Sequence, residues 1–267
     1  ASAARKGGRT PAPTPATSAS GRASTGAVSP GGRGGSTADR ARPSAIRRAV
    51  SFSEAVYDGN AEVEGIRAIR HDEPPVAWDA ATVPILVDPE ARFVPRLAPL
   101  AVVDAILAKR NLGTRIDLAP VVVALGPGFE AGRDAHAVVE TNRGHGLGRV
   151  FLTGHAEADT AVPGQIAGHD SARVVRAPAA GEVVALRAIG DLVADGEPVL
   201  TIGGAVARAS IDGVLRGLIR PGYPASAGLK VADVDPRGVR EHCFTVSAKA
   251  RAVAGGVLEA LLALAPG

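Results

Sequence analysis

Three glycines recur at a fixed distance along the chain. Gly181, Gly190 and Gly196 return 32 residues later as Gly213, Gly222 and Gly228. Around them, "GEVVALRAIGDLVADGEPVL" and "GVLRGLIRPGYPASAGLKV" share an alternation of short apolar segments and tight turns. A unit of this length cannot bury an apolar face by itself, and a lone hairpin is marginal in water. Residues 177–236 are therefore expected to form two interlocked halves, with glycine supplying the turn conformations closed to other residues.

The pattern resembles the barrel-sandwich hybrid of biotinyl and lipoyl carrier domains, which implies a small all-β domain over residues 171–238. A carrier needs a modifiable lysine on the hairpin between its halves. The hairpin "GGAVARASIDG" (Gly203–Gly213) has none, and Lys230 lies on a later strand, so fold without carrier function is expected. Residues 239–267 are expected to end in a helix. Ser247 is a suitable N-cap, and Val253, Val257, Leu258, Leu261 and Leu262 make an apolar stripe. "AGGV" would allow close packing, and the helix is expected to dock as core material on the α/β domain of residues 45–170. His242 and Cys243 are adjacent and would point to opposite faces of a strand, so no catalytic thiol pair is expected.

Upstream, over residues 45–170, the text changes to isolated apolar runs: Val83–Val87, Leu100–Leu107, Val121–Leu125 and Ala135–Val139. They are short, rich in β-branched residues and apolar on both faces, as covered parallel strands are. A capping box at "SFSE" (Ser51–Glu54) predicts a short helix through Tyr57. The fold class expected is α/β, a Rossmann-like parallel sheet followed by the small all-β domain and the C-terminal helix. Aromatics are only 3% of the chain, so its core must come from Val, Ala, Leu and Ile.

Each run ends in a polar or glycine-rich turn, and ligands of open α/β sheets bind beyond the carboxyl ends of the strands. The chain has 26 arginines and four lysines, and one of those lysines, Lys109, sits after the second run. Lys109 and Arg110 suit phosphate or carboxylate. Gly126 and Gly128 let backbone approach an anion, and Asn111, Thr114 and Thr141 add hydrogen-bonding groups. Glu140, Arg143 and His145, in "ETNRGHGLGR", complete the candidate cofactor-binding set. Asp134, His136, Glu140 and His145 suggest a metal, but no tight ligand motif accompanies them and none is assigned. The alternative is a set of ordinary loops with solvated charges.

Net charge divides sharply. Residues 1–50 hold nine Lys/Arg and one Asp, +8, and the remainder holds 21 basic and 26 acidic residues, −5, giving the overall +3. The body therefore lacks the basic balance of a nucleic-acid binder. Residues 1–44, rich in Pro, Gly and Ser, contain one large aliphatic residue, Val28, and are expected to be a disordered basic tail. Back-translated with GC-rich codons and read in a shifted frame, Pro15–Pro30 yields a glycine-rich strand-to-helix turn instead. No apolar run approaches the roughly 20 residues of a membrane span. The single cysteine excludes an internal disulfide, and the start shows no signal-type apolar run, so a cytoplasmic setting is expected.

Taken together, "AIRRAVSFSEAVYDG", "LVDP", "VVDAILAKRNLGTRIDLAPVVVALGPGFEAGRDAHAVVETNRGHGLGRV", "RAPAAGEV", "DVDPRG" and "KARAVAGGVLEALL" resemble the YqeB family from Ala45 to Leu262. That family is associated with the selenium-dependent molybdenum hydroxylase system. The resemblance implies an accessory or maturation protein, partnered by a molybdenum hydroxylase or other maturation proteins. It implies as ligand a nucleotide or a molybdopterin-type cofactor such as molybdopterin cytosine dinucleotide. It also implies a first βα unit that is missing or altered here, with the pyrophosphate site such a unit would carry. Two alternatives stay open. One is an enzyme on a phosphate-containing cofactor, with Asp104 or Asp117 as acid or base. The other is a scaffold docking through the C-terminal domain. The lack of a complete Walker motif or nucleophile elbow favours a non-enzymatic accessory protein.

Overall fold

The computed structural model describes residues 46–77, 79–159 and 165–265. The tail at 1–44 and its shifted-frame reading lie outside the described residues. The chain enters through β1 (Ile46–Arg47), then a 3-10 turn at Phe52–Glu54 and the one-turn helix α1 (Ala55–Asp58), closed by Gly59 at φ +81°. The reciprocal capping box does not form. Ser51 Oγ accepts from the amide of Ser53, while the Glu54 carboxylate takes Arg47 at 2.8 Å and Arg220 at 2.9 Å. Two charge-assisted bonds outweigh one bond to a backbone amide.

Next, β2 (Asn60–Val63) and β3 (Ile66–His71) form a hairpin, and β4 (Thr82–Leu86) adds parallel to β3. The first apolar run thus builds a sheet separate from the other three. After the one-turn helix α2 (Val94–Leu97) come β5 (Ala101–Asp104), β6 (Val121–Leu125), β7 (Glu130–Ala131), β8 (Ala137–Val139), β9 (Val150–Phe151) and β10 (Gly154–His155). The order β5-β6-β8-β9 makes a sheet whose first three strands are parallel and whose fourth is antiparallel. β7 and β10 pair beside it.

All five residues of β6 are buried, and the pleat explains why the run is apolar throughout. Val121, Val123 and Leu125 pack with Val139 against the C-terminal helix α3 (Ala248–Leu264). Val122 and Ala124 face Phe129, Ala131 and Ala156 on the other side. The connection from β5 to β6 carries a 3-10 turn at Ile116–Leu118, and that from β6 to β8 carries β7. Neither crossover contains an α-helix, so one face is covered by α3 and the other by loop and short-strand material. The molecule is α/β with several mixed sheets and few helices.

The helix begins where Ser247 Oγ accepts from the Ala250 amide at 3.2 Å. Val253, Gly256 and Ala260 form its buried stripe. A Cβ on Gly256 would drive into the Gly148 carbonyl and Val139, so glycine sets the distance between helix and sheet. That contact also fixes the helix rotation, which leaves Leu258 and Leu262 of the expected stripe 57% and 72% exposed.

The repeat builds β11 (Val174–Arg176), β12 (Gly181–Ala185), β13 (Leu192–Val193), β14 (Pro198–Ile202), β15 (Ala205–Arg208), β16 (Gly213–Ile219), β17 (Pro224–Ala225) and β18 (Lys230–Asp235). Its backbone obeys the 32-residue offset seen in the sequence. Gly190 N–H donates to the Leu215 carbonyl, and Gly222 N–H to that of Val183, both at 2.8 Å. Likewise Gly196 donates to Ala209 and Gly228 to Ala177. β12 pairs with β17 as β13 pairs with β16, so each half completes the other. Leu200, Ile202, Leu215 and Ile219 fill the shared core. The two sheets run β1-β16-β18-β11, with β13 also on β16, and β15-β14-β12-β17, and neither closes on itself among the described residues. β1, at the start of the segment expected to build the α/β domain, instead pairs with β16.

Candidate functional site

Because β5, β6 and β8 are parallel, their carboxyl ends at Asp104, Leu125 and Val139 lie along one edge, and three loops meet there. The first loop is shaped by its own polar side chains. Asn111 Oδ1 accepts from the amides of Gly113 and Thr114, both at 2.8 Å, and its Nδ2 donates to the Thr114 carbonyl. The buried Thr114 hydroxyl donates to Asp104 Oδ2, while Asp104 Oδ1 accepts from the Ile106 amide at 3.0 Å. Leu107 and Lys109 are held at φ +57° and +61°, left-handed conformations that cost non-glycine residues about 1–2 kcal/mol each.

The second loop fits against the first and third through its glycines. A Cβ on Gly128 would lie 2.6 Å from the Arg110 backbone nitrogen, and one on Gly126 would lie 2.5 Å from the Thr141 hydroxyl. Both sit at positive φ, and Gly126 N–H donates to the Val139 carbonyl at 2.8 Å. The close approach, as much as turn conformation, requires glycine at these positions.

The third loop is organised by Glu140, which is 1% exposed. One carboxylate oxygen accepts from the amides of Thr141 at 2.7 Å and Asn142 at 2.6 Å, and the other from that of Glu157 at 2.7 Å. Three amides bind this internal anion and tie the loop to residue 157. Arg143 and His145 are exposed on the same loop.

Lys109 reaches Asp159 at 2.6 Å across the site. The sequence pattern does not reveal Lys249, on the first turn of α3. Burial first, and then the nearby Arg143 and Lys109, push its ammonium below the ordinary lysine value, against the opposing pull of Glu140. Among the described residues, no carboxylate ion-pairs with Arg110, Arg143 or Lys249. Asn111, Thr114, Gly126, Gly128, Glu140 and Thr141 thus build the loops, and Lys109, Arg110, Arg143 and Lys249 give the site its charge. His136 accepts from the Val122 amide through Nδ1 at 3.0 Å, and no metal-holding group of three His, Cys, Asp or Glu occurs among the described residues. Asp117 is exposed and paired with Arg115. No described helix is long and apolar enough to cross a membrane.

No family model and no solved structure matches the chain. Its sequence is 49% identical over 226 residues to an Escherichia coli (strain K12) protein described as uncharacterized protein YqeB. The match takes in 84% of this chain but 42% of that protein, so the chain spans under half the length of the curated relative it matches. Over most of its length this chain is closely similar to a YqeB family protein.

Proposed function

We propose that the chain is an accessory or maturation factor of a selenium-dependent molybdenum hydroxylase. It binds a nucleotide or molybdopterin-type cofactor, such as molybdopterin cytosine dinucleotide, at the loops beyond β5, β6 and β8. Its partners are the hydroxylase or other maturation proteins. The observation that carries the binding site is the gathering of Lys109, Arg143 and Lys249 above three loops that their own side chains hold in place. Arg143 and the partly buried Lys249, which ion-pair with no carboxylate among the described residues, favour an anionic group, and rigid supporting loops reduce the ordering cost of binding it. The strained backbone at Leu107 and Lys109 supports the same reading, since such strain gathers at functional sites.

In this reading β5, β6 and β8 are strands of a Rossmann-like sheet. The interlocked repeat is a barrel-sandwich-hybrid-like module beside it. Asp104 is buried, with one oxygen taken by the Thr114 hydroxyl and the other by the Ile106 amide, so positioning and charge neutralisation, rather than acid–base chemistry, are the roles assigned to the site. The test is thermal unfolding of the purified chain with CTP, nicotinamide and flavin dinucleotides, and molybdopterin cytosine dinucleotide. A ligand that binds the native state raises the midpoint with concentration. The expected result is a shift with one of them that Lys249→Ala removes. A shift that persists in Lys249→Ala would place binding elsewhere.

A further inference from the structure

A second group of cations lies on the sheet β1-β16-β18-β11, and shares no residue with the strand-end loops. Its centre is "DVDPRG", where Asp233 and Asp235 are 4% and 1% exposed. Asp233 takes Arg48 at 2.5 Å, Arg173 at 3.1 Å and Lys230 at 3.7 Å. Asp235 takes Arg237 at 2.6 Å and Arg216 at 3.6 Å. Even with Arg173 set aside, four cations face two carboxylates.

The sheet geometry forces this crowding. The register between β16 and β18 shifts between Leu215 and Gly217, and Arg216 is the extra residue of that bulge. Gly217, opposite Asp233, has no side chain, and the Arg48 guanidinium lies only 3.2 Å from where a Cβ would stand. Arg216 and Lys230 stand 3.6 and 3.7 Å from their carboxylates, longer than an ordinary hydrogen bond, so their donors are only weakly engaged by them. Burial, followed by the neighbouring Arg48, pushes the Arg216 guanidinium below its ordinary value. Burial likewise lowers Lys230, with Arg48 and Arg173 adding to the effect against Asp233. A partly dehydrated excess of positive charge is costly to maintain unless something anionic offsets it. Arg48, Lys230 and Arg237 are each more than a third exposed, so the group is open to solvent.

We infer that Arg48, Arg216 and Lys230, with Arg237 at the margin, form a binding site for a polyvalent oxyanion of the phosphate or pyrophosphate class. Asp233 and Asp235 do not touch the ligand. They hold the guanidinium groups in place while leaving charge and donors for it. Arginine supplies the planar fork that matches such oxygens, and Lys230 a point charge beside it.

The probe is inorganic pyrophosphate, titrated by calorimetry into the full chain carrying Lys109→Ala, Arg110→Ala, Arg143→Ala and Lys249→Ala, so that the strand-end loops lack the cations to account for binding. Saturable binding near one equivalent is expected, weakened about tenfold or more by Arg48→Gln and by Lys230→Gln. Lys230→Gln is the variant to rely on if Arg48→Gln unfolds, because the contact of Lys230 with Asp233 is long, at 3.7 Å, and its side chain is more than a third exposed. Tenfold saturation should raise the unfolding midpoint by about 3–6 °C. No saturable heat, or equal affinity in the folded Lys230→Gln variant, overturns the inference. Neither outcome bears on cofactor binding at the strand-end loops.

Discussion

The interlocked repeat and the strand-end loops use the same two resources, glycine and charged side chains, to opposite ends. In the repeat, glycines mark symmetric turns, and Gly190–Leu215 and Gly222–Val183 are the same hydrogen bond made twice. At the loops, Gly126 and Gly128 allow one backbone segment to lie against the next, with no symmetry. Stability in the repeat comes from Leu200, Ile202, Leu215 and Ile219, whereas the loops are tied by buried polar groups, above all Glu140. The contrast separates apolar burial that makes a fold from polar organisation that presents a surface.

The most damaging way to break the comparison is in the repeat core. Leu200→Ala should cost about 2–5 kcal/mol, read as a fall in the denaturation midpoint. Its signature is loss of hydrogen-exchange protection in both halves together, because each completes the other's sheet. Protection lost in one half alone would mean the halves fold independently. Next comes Glu140→Ala, which leaves three amides without their acceptor and should cost about 2–4 kcal/mol. Glu140→Gln keeps one acceptor oxygen and should cost less. Equal stability of wild type and Glu140→Ala would show that water replaces the carboxylate and that the loops are not tied by it.

Gly148→Ala tests the junction between helix and sheet. The new Cβ would meet the Ala252 carbonyl at 2.6 Å, at φ +84°, and about 1–3 kcal/mol should be lost. The pH dependence is subtler. Lys249 has a folded value below its unfolded one, so the unfolded state binds more protons in the alkaline window between the two. Stability from this group should therefore rise with pH across that window, and Lys249→Met should flatten the rise in a pH series of unfolding curves. An anionic ligand should raise the folded value towards the ordinary lysine range. The smallest effect belongs to Lys109→Ala. Its ion pair with Asp159 is solvent-exposed, so less than about 1 kcal/mol should be lost while ligand affinity falls.

Local pattern carried much of this architecture. Val121–Leu125 occupies β6 because five consecutive apolar residues suit a strand buried on both faces. The glycine spacing at 181–228 carried its turn conformations along with it, since all six glycines have positive φ. Loop residues 109–114, 126–128 and 140–145 could be chosen because they follow apolar runs. What local pattern could not supply was distance. Lys249 follows Glu140 by more than a hundred positions and joins its loop only because Gly256 packs on Gly148. The same limit hid the pairing of β1 with β16, which brings Arg48 to Asp233. Leu258 and Leu262 were read as core because periodicity does not report which helix face a glycine contact turns inward.

Calorimetric titration of molybdopterin cytosine dinucleotide and CTP into the wild-type chain, and into the Arg143→Ala/Lys249→Ala double variant, tests the cofactor site most directly. Saturable binding of one of them by the wild type, weakened at least tenfold in a double variant with an unchanged unfolding curve, is the expected result. Binding of equal strength in both proteins, or no binding of either ligand by a folded wild type, would contradict it.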